Sequence, residues 1–243
     1  MKKIAVVKLG STITTTRQKT VDIFRIEHIA EQIRQLQSTD IGIVLVVSGA
    51  ELCGEHLLKL SDSTRLHKQL LTGVGQAYLT AQLYMIFSKY NINIAQLLLT
   101  KTDLINKKRR QAIQAVLHRA IAQKIVVVIN ENDIVELNSF SGNDFLASEI
   151  ALLLNADHLL LLTDVPGVYN KHKQVIETLT DISDLTLLSE QPKVARVGGI
   201  TTKIHAGKNA SNAGIQTFIS HGETDNILTE VLAENKHIGT KIV

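Results

Sequence analysis

Short β-branched runs alternate along this chain with longer segments in which apolar residues recur at helical spacing. The predicted strands are Ile4 to Leu9, Ile43 to Val47, Ile92 to Leu99, Ile125 to Ile129, Leu159 to Leu162 and Thr217 to Ile219. The predicted helices are Ile26 to Leu36, Leu66 to Tyr90, Arg110 to Gln123, Asp144 to Leu154 and Thr202 to Ala213. Strands that are apolar on both faces and separated by helices indicate a mostly parallel sheet covered on both sides. We therefore predict an α/β fold, a three-layer αβα sandwich.

Length and composition fit a single domain over residues 1–243. With 44% hydrophobic content, a chain of 243 residues can bury a full core. Only Pro166 and Pro192 interrupt the pattern, and no linker or low-complexity segment divides it. Because Cys53 is the only cysteine, no intrachain disulfide can form, and we expect a reducing, cytoplasmic setting. No apolar stretch is long enough to cross a bilayer, so no membrane partner is expected.

Charge and aromatic content argue against a nucleic-acid partner. The net charge is only +3, aromatic residues make up 4% of the chain and there is no tryptophan. The basic cluster from Lys107 to Arg110 precedes a helical pattern, which favours a solvated first helical turn over a nucleic-acid patch.

The nine histidines lack the spacing of a zinc site, and we expect no protein-held metal. His158, His205 and His221 are predicted to be surface or capping residues.

Polar residues follow nearly every predicted strand. In sheets of this kind, ligands bind beyond the carboxyl ends of the strands. The residues found there are Lys8-Leu-Gly-Ser11, Ser48-Gly-Ala50, Thr100, Asn130-Glu-Asn-Asp133, Thr163-Asp164 and Ser220-His-Gly222. Taken singly, each is typical of a turn or a helix cap. The set of six indicates a binding site along one edge of the sheet.

Two lysines near opposite ends of the chain suggest phosphoryl transfer. Lys8 ends the first strand, and Lys203 follows the double glycine Gly198-Gly199 at the start of a helical pattern. A phosphoryl group in transfer spreads negative charge over its oxygens, and fixed cations and glycine backbone N–H groups stabilise that charge. Individually, each lysine also fits a solvated position outside the core, and the glycines fit an ordinary turn. The common nucleotide motifs, such as the P-loop and the dinucleotide-binding glycine pattern, are missing.

Seven segments together resemble, in order, the motifs of the glutamate 5-kinase branch of the amino acid kinase family. They are Val6-Val-Lys-Leu-Gly-Ser11, Val47-Ser-Gly-Ala50, Lys68-Gln-Leu-Leu-Thr-Gly-Val-Gly-Gln76, Leu97-Leu-Leu-Thr100, Val128-Ile-Asn-Glu-Asn-Asp133, Leu160-Leu-Leu-Thr-Asp-Val-Pro-Gly-Val-Tyr169 and Gly198-Gly-Ile-Thr-Thr-Lys203. The likeness extends from Lys2 to Thr240. Lys-Gly and Thr-Asp motifs are shared across the family, whereas the Ser-Gly-Ala, Val-Gly-Gln and Ile-Asn-Glu-Asn-Asp segments point to this branch.

The resemblance implies a role for each candidate residue. Lys8 and Lys203 would flank the transferred phosphoryl group, with the catalytic Asp144 between them orienting both ammonium groups. Glutamate would be held by Ser48, Gly49, Asn130, Asp133 and Asn143. ATP would be bound by both lysines with Gly10, Thr163, Asp164, Gly198 and Gly199. Because the attacking γ-carboxylate is already ionised at neutral pH, no general base is required.

The resemblance also implies cofactors and partners. ATP would bring Mg²⁺ bound to its phosphate oxygens and water rather than to a protein cage. L-Glutamate would be the substrate, proline a feedback inhibitor, and γ-glutamyl phosphate reductase the enzyme that uses the product. The family pattern implies a homo-oligomer, either dimer or tetramer, in a single-domain form without the carboxy-terminal PUA-like domain.

Two alternatives stay open at the level of sequence. One is a kinase of the same family for another small acid or for a phosphate monoester. The other is a catalytically silent sensor that binds ATP or an amino acid. Three positions depart from the family pattern: Glu51 follows Ser-Gly-Ala, Arg196-Val197 precedes the double glycine, and Ser141-Gly142 replaces an acidic stretch.

Overall fold

The computed structural model describes residues 3–58, 64–180 and 199–243, which contain one eight-stranded sheet. Its strands are β1 (Lys3–Leu9), β2 (Ile41–Val47), β3 (Ile94–Leu99), β4 (Val126–Glu131), β5 (His158–Thr163), β6 (Thr178–Leu179), β7 (Gln216–His221) and β8 (Thr240–Ile242). They lie in the order β3-β4-β2-β1-β5-β7-β8-β6. All neighbouring strands are parallel except β7 and β8, which are antiparallel. The predicted, mostly parallel sheet is confirmed.

Helices cover both faces of this sheet. They are α1 (Ser11–Thr14), α2 (Ile23–Leu36), α3 (Ala50–Leu58), α4 (Arg65–Lys89), α5 (Lys101–Ile105), α6 (Lys107–Ala122), α7 (Asn143–Leu154), α8 (Ile200–Ser211) and α9 (Ile227–Leu232). One apolar core joins the sheet to α2, α3, α4 and α9, and the other joins it to α5, α6, α7 and α8. This confirms the three-layer arrangement.

Alternation along the strands divides the apolar residues between the two cores. In β1, Ala5 and Val7 belong to the core under α2, whereas Ile4 and Val6 belong to the core under α7. Every residue of β2 is buried, which a central strand between two helix layers requires. This two-sided burial explains why the strands have continuous rather than alternating apolar patterns.

The six predicted strands and five predicted helices are all present, with boundaries shifted by at most three residues. Sequence patterns missed the short elements β6, β8, α1, α5 and α9, and also α3. Periodicity needs a longer segment than these short elements provide. In α3, Gly54 and several polar residues obscure the helical pattern, and packing against α4 stabilises the helix.

The prediction for His158 was wrong. This residue lies in the interior strand β5, between Ala5 of β1 and Gln216 of β7, and is 2% exposed. Burial lowers the pKa of its imidazole. His205 is exposed on α8, and the Nδ1 atom of His221 accepts a hydrogen bond from the backbone of Glu223, so these two fit the prediction.

The topology brings the polar strand ends together. Strands β1 to β5 and β7 run parallel, so their carboxyl ends lie along one edge of the sheet. Adjacent connections contact each other there: Gly10 donates to the carbonyl of Leu162, and Ser48 donates to the carbonyl of Leu9. Within the described ranges, no helix is long and apolar enough to span a membrane.

Candidate active site

Three buried charged side chains meet at this edge. The Nζ atom of Lys8 lies 2.8 Å from Oδ1 of Asp144, and the Nζ atom of Lys203 lies 3.2 Å from Oδ2 of the same carboxylate. Lys8, Asp144 and Lys203 are 3%, 1% and 4% exposed. Both lysines therefore lie inside the protein, and the expectation that they stand outside the core was wrong.

Each member of this charged triad comes from a different element. Lys8 lies near the end of β1, Asp144 in the first turn of α7 and Lys203 in the first turn of α8. Because α7 and α8 pack in the same core, Asp144 and Lys203 face each other although they are far apart in sequence. The hydroxyl of Thr202 also donates to Asp144 at 3.3 Å, which orients the carboxylate further.

The pKa values of the triad reflect burial and mutual charge. Burial raises the pKa of Asp144, but the charges and hydrogen bonds of Lys8 and Lys203 outweigh burial and leave the pKa below its ordinary value. Burial and the charge of Lys8 lower the pKa of Lys203, and Asp144 opposes this effect. The carboxylate is therefore ionised at neutral pH and holds the two ammonium groups at set positions.

A row of amide and hydroxyl groups lies beside the triad. Asn143 donates from Nδ2 to the side-chain oxygen of Asn130 at 2.7 Å and to the hydroxyl of Ser48 at 3.1 Å. Asn130 donates in turn to Oε1 of Gln76 at 2.7 Å, and Gln76 donates to Thr80 at 3.1 Å. This chain of contacts orients three predicted substrate-binding residues, namely Ser48, Asn130 and Asn143.

Acceptor groups in this row are available to a ligand that donates hydrogen bonds. The Oδ1 atom of Asn143 is buried and has no hydrogen-bond partner among the residues described. A buried acceptor without a donor costs free energy, so a bound ammonium or amide group would relieve that cost. Asp133 lies on the connection that follows Asn130 and is half-buried; its Oδ1 accepts from the backbone of Asn138 at 2.7 Å. Burial raises the pKa of Asp133.

Two predicted glycines allow a close approach of the backbone. Gly49 has a φ of +112°, and a Cβ there would lie 2.7 Å from the hydroxyl oxygen of Thr14. That hydroxyl donates to the carbonyl of Ser48 at 2.6 Å and joins the β1 and β2 connections. At Gly10, a Cβ would lie 3.2 Å from the carbonyl of Leu162 and 3.8 Å from the Nζ atom of Lys8. A side chain at either glycine would press on these connections, and at Gly10 it would also approach the Lys8 ammonium group.

The residues predicted to bind ATP lie at the ends of β5 and α8. Thr163 donates from its hydroxyl to Asp164 at 3.2 Å. Burial lowers the pKa of Lys203, and the negative charge of Asp164 opposes this effect in a small way, so Asp164 lies within electrostatic range of Lys203. Gly199 is the residue that caps the amino terminus of α8, and its carbonyl accepts from Thr202 at 2.6 Å. Gly198, like Arg196, lies outside the described residues.

Two of the departures from the family pattern lie in this region. Glu51 is half-buried in the first turn of α3; burial and the charges of Glu55 and Asp133 raise its pKa, against the effect of Lys68. Ser141 and Gly142, at the start of α7, have φ angles of +64° and +116°. The structure thus brings Glu51 into electrostatic range of the predicted substrate residue Asp133.

Sequence reasoning did not assign roles to Gln76 and Glu131. Gln76 is 6% exposed and its side chain accepts a hydrogen bond from Asn130. The sequence signal that could have identified it is its position as a polar residue on the buried face of α4, beside Gly75. Glu131 is 4% exposed at the end of β4, within a segment that was otherwise assigned to substrate binding. Both support predicted residues through contacts that the sequence alone does not reveal.

Besides this site, the described part of the chain could offer a metal site or another cavity. No group of three or more histidine, cysteine, aspartate and glutamate side chains in those residues is arranged to hold a metal ion. A cavity of about 340 Å³ is lined by Lys3, Asp157 and Gln216, among others, at the opposite edge of the sheet. None of the predicted site residues lines that cavity.

Comparison with known proteins agrees with the motifs. A family model described as the amino acid kinase family matches residues 3–221. A glutamate 5-kinase from Shewanella oneidensis is 35% identical, and the match covers 97% of this chain and 66% of the relative. A glutamate 5-kinase from Clostridium acetobutylicum is 32% identical over 93% of this chain and 90% of the relative. This chain therefore spans about two thirds of one relative and most of the other.

Solved structures share the fold at low sequence identity. An isopentenyl phosphate kinase superposes with a TM-score of 0.68 and 17% identity, covering 99% of this chain and 100% of the other. A UMP kinase from Bacillus anthracis superposes with a TM-score of 0.69 and 16% identity, covering 99% and 95%. These likenesses support the fold alone, whereas the sequence matches confirm the resemblance to glutamate 5-kinases. The chain belongs to the amino acid kinase family.

Proposed function

We propose that this protein transfers the γ-phosphoryl group of ATP to the side-chain carboxylate of L-glutamate. One oxygen of the γ-carboxylate attacks the γ-phosphorus of ATP, the bond from that phosphorus to the β–γ bridging oxygen breaks, and ADP leaves. The products are γ-glutamyl phosphate and ADP. The observation that carries this proposal is the buried triad of Lys8, Asp144 and Lys203, beside the amide row of Ser48, Asn130 and Asn143.

The triad suits a phosphoryl transfer in which charge is the main problem. Two ammonium groups held by one carboxylate provide positive charge that need not reorganise when the phosphoryl group moves. Their burial, at 3% and 4% exposure, lowers the local dielectric and strengthens their action on the transferred group. Lys8, from the first strand, and Lys203, from α8, are therefore assigned to the phosphoryl oxygens.

The amide row suits an α-amino acid. The unpartnered Oδ1 atom of Asn143 and the carboxylate of Asp133 can accept from an α-ammonium group. The hydroxyl of Ser48 and backbone N–H groups near Gly49 can donate to an α-carboxylate. This arrangement leaves the γ-carboxylate to extend toward Asn130 and the two lysines, where the phosphoryl group would be transferred.

ATP binds in this proposal beside β5 and α8. Thr163 and Asp164 contact the nucleotide, and Gly10, Gly198 and Gly199 lie around its phosphates. The amino terminus of α8, capped by Gly199, carries the partial positive charge that favours phosphate. ATP brings Mg²⁺ on its phosphate oxygens, where the ion neutralises charge.

The proposal extends to the cellular setting. It places a homo-oligomeric enzyme in the cytoplasm, with residues 1–243 acting as one catalytic domain. The acyl phosphate passes to γ-glutamyl phosphate reductase in the first steps toward proline, and proline inhibits the enzyme.

Incubation of the protein with L-glutamate and Mg-ATP, followed by hydroxylamine, tests the reaction directly. Hydroxylamine traps an acyl phosphate as the γ-glutamyl hydroxamate, and we expect hydroxamate and ADP in equal amounts. Aspartate, N-acetylglutamate, UMP and isopentenyl phosphate serve as competing substrates in parallel reactions. Much faster ATP consumption with any of these would assign the triad to a different acceptor.

A catalytically silent sensor is the alternative of another class. Binding alone does not require two ammonium groups on one buried carboxylate. Transfer of each ion from water into a protein interior costs roughly several kcal/mol, which ion pairing offsets only in part. Isothermal titration separates the two functions. A protein that binds ATP and glutamate but forms no ADP with any acceptor would be a sensor.

A further inference from the structure

Glu131 lies behind the proposed glutamate pocket without touching the triad. It is the last residue of β4, and its carboxylate is 4% exposed. Its Oε2 atom accepts a hydrogen bond from the backbone N–H of Phe140 at 3.1 Å. The backbone N–H groups of Ser139 and Gly142 also stabilise its ionised form. The backbone of one short loop thus donates to one buried carboxylate, and the Phe140 N–H makes the direct hydrogen bond.

The loop that supplies these donors, residues 138–142, has an unfavourable backbone conformation. Asn138 and Ser141 have φ angles of +55° and +64°, and Gly142 has a φ of +116°. Asparagine adopts such angles more readily than most residues, whereas a serine there is unusual and needs support from neighbouring contacts. Two contacts besides that of Glu131 give the loop such support: Asp133 accepts from Asn138 at 2.7 Å, and the hydroxyl of Ser139 accepts from the backbone of Lys101 at 3.1 Å.

The loop leads directly into the active-site residues. Gly142 caps α7, and its carbonyl accepts from the backbone N–H groups of Phe145 at 3.1 Å and Leu146 at 3.3 Å. Asn143 and Asp144 follow without any intervening residue. A shift of Gly142 therefore moves the Asn143 amide away from Asn130, at 2.7 Å, and from Ser48, at 3.1 Å.

We propose that Glu131 is a positioning residue whose ionised carboxylate holds the 138–142 loop and thereby sets Asn143 for glutamate binding. This inference rests on the proposed function. A carboxylate accepts several N–H groups at once and donates none, whereas a protonated carboxyl or an amide must also donate. Loss of the negative charge therefore weakens the hydrogen bond from the Phe140 N–H and loosens the hold on the loop.

Electrostatics support this role. Burial raises the pKa of Glu131 to about 7; the Phe140 N–H lowers it and the charge of Asp133 raises it. The other charged side chains nearby are otherwise engaged: Asp103 on α5 binds Thr100 and Arg109, and Asp144 on α7 binds both triad lysines. Lys101, at the start of α5, is exposed. Ionisation of Glu131 costs the fold free energy, and a glutamine of the same shape would avoid that cost.

The test compares Glu131→Gln with Asp157→Asn as a matched control. Asp157 also accepts a backbone N–H, from Ile4 at 2.8 Å, but at the opposite edge of the sheet. For Glu131→Gln we expect the KM for glutamate at about pH 8 to rise about tenfold, as loss of a charged hydrogen bond gives. The KM for ATP should change less than about twofold by the same argument. The Asp157→Asn protein should keep the wild-type KM for both substrates.

The pH profile separates positioning from a general loss of structure. In the wild type, the KM for glutamate should rise as the pH falls below about 7, following the ionisation of Glu131. The Glu131→Gln protein should lack this step, whereas Asp133→Asn should retain it with a higher KM throughout. A Glu131→Gln protein with the wild-type KM and pH step would overturn the inference, as would equal increases in the two KM values.

Hydrogen exchange gives a readout that needs no activity. Amide exchange of Phe140 and Gly142 in the wild type, corrected for the intrinsic rate, should accelerate below about pH 7. The Glu131→Gln protein should exchange fast at every pH. If exchange responds in this way but glutamate is not phosphorylated, the loop contact stands and the substrate proposal fails. Exchange of these amides that is unaffected by pH and by the variant overturns the role of Glu131.

Discussion

Lys8 and Lys203 reach opposite oxygens of one carboxylate, although they come from the first strand and from a helix near the other end of the chain. The distances to Oδ1 and Oδ2 of Asp144 are 2.8 Å and 3.2 Å. The bridging carboxylate keeps two like charges close together in the protein interior, where they would otherwise repel each other strongly. The arrangement suits the proposed transfer, in which two fixed cations would act on one phosphoryl group.

Removal of either lysine should abolish most of the activity. We expect Lys8→Ala and Lys203→Ala each to lower kcat by about 10³ or more, because both cations act on charge that develops in the transition state. Since both side chains are buried and paired, we also expect the free energy of unfolding to fall by about 1–3 kcal/mol. Steady-state kinetics and urea denaturation measure the two effects.

Lys89→Ala is the control for these variants. Lys89 pairs with Glu27 at 2.6 Å at the end of α4, a helix that carries none of the predicted site residues, and its side chain is 59% exposed. Its replacement should leave kcat and unfolding close to the wild type. A folded Lys8→Ala or Lys203→Ala protein with similarly normal turnover would remove that lysine from the mechanism.

Proline should compete with glutamate rather than with ATP. Proline has the same α-carboxylate and a charged secondary amine, so Asp133 and the Asn143 oxygen can bind it, but it has no γ-carboxylate to phosphorylate. We expect proline to raise the apparent KM for glutamate, and Asp133→Asn to weaken both amino acids. Initial rates over a matrix of proline and glutamate concentrations provide the measurement. Inhibition that persists at saturating glutamate, or that survives Asp133→Asn, would indicate a separate regulatory site.

Glu131 should make the fold less stable as the pH rises from about 4.5 to about 7. Folded Glu131 keeps its proton up to about pH 7, whereas a glutamate in the unfolded chain releases it near its ordinary pKa of 4.5. The folded state therefore binds the extra proton in this window, and the free energy of unfolding falls by at most about 3 kcal/mol across it. Urea denaturation of the wild type and Glu131→Gln at several pH values isolates this contribution. Parallel pH dependence in the two proteins would contradict the raised pKa.

Gly75 should be intolerant of even a methyl group. A Cβ at this position of α4 would overlap the carbonyl oxygen of Ala50 and the backbone nitrogen of Gly54, so α3 would have to move. We expect Gly75→Ala to destabilise the protein by about 3 kcal/mol, although alanine normally favours a helix. In Gly73→Ala the new Cβ would meet the flexible end of Ile134 at 2.6 Å, so the loss should be smaller. Thermal unfolding of both variants measures the difference, and equal melting temperatures would contradict this account of α3–α4 packing.

Periodicity identified the long elements because burial on both faces of the sheet imposes it directly. In β2, around Val44, and in α2, around Ile29, the spacing of the apolar residues follows from the geometry of the strand or helix itself. The strand β8, with three residues, and α3, which depends on α4 for its packing, have no such local pattern. Their stability comes from neighbours that are distant in sequence.

The residues of the candidate site also fall into two groups, those that the sequence identified and those that only the structure revealed. Lys8, Ser48, Asn130, Thr163 and their neighbours were identified because each follows an apolar run, and parallel strands bring such positions to one edge. Gln76 and Glu131 were not assigned, since each acts through a contact with another residue. The roles of these residues in catalysis and binding stay predictions that the variants above test.

The sequence by itself determined the layered α/β architecture, the edge of the sheet that carries the polar residues, and the resemblance to glutamate 5-kinases. Each of these depends on local spacing or on the order of motifs along the chain. Only the tertiary structure decided that Lys8 and Lys203 are buried, that Asp144 bridges them, and that Glu131 accepts a hydrogen bond from Phe140 in the loop before Asn143. The physical reason is that burial and ion pairing depend on how α7, α8 and the sheet pack against one another, and residues far apart in sequence set that packing together.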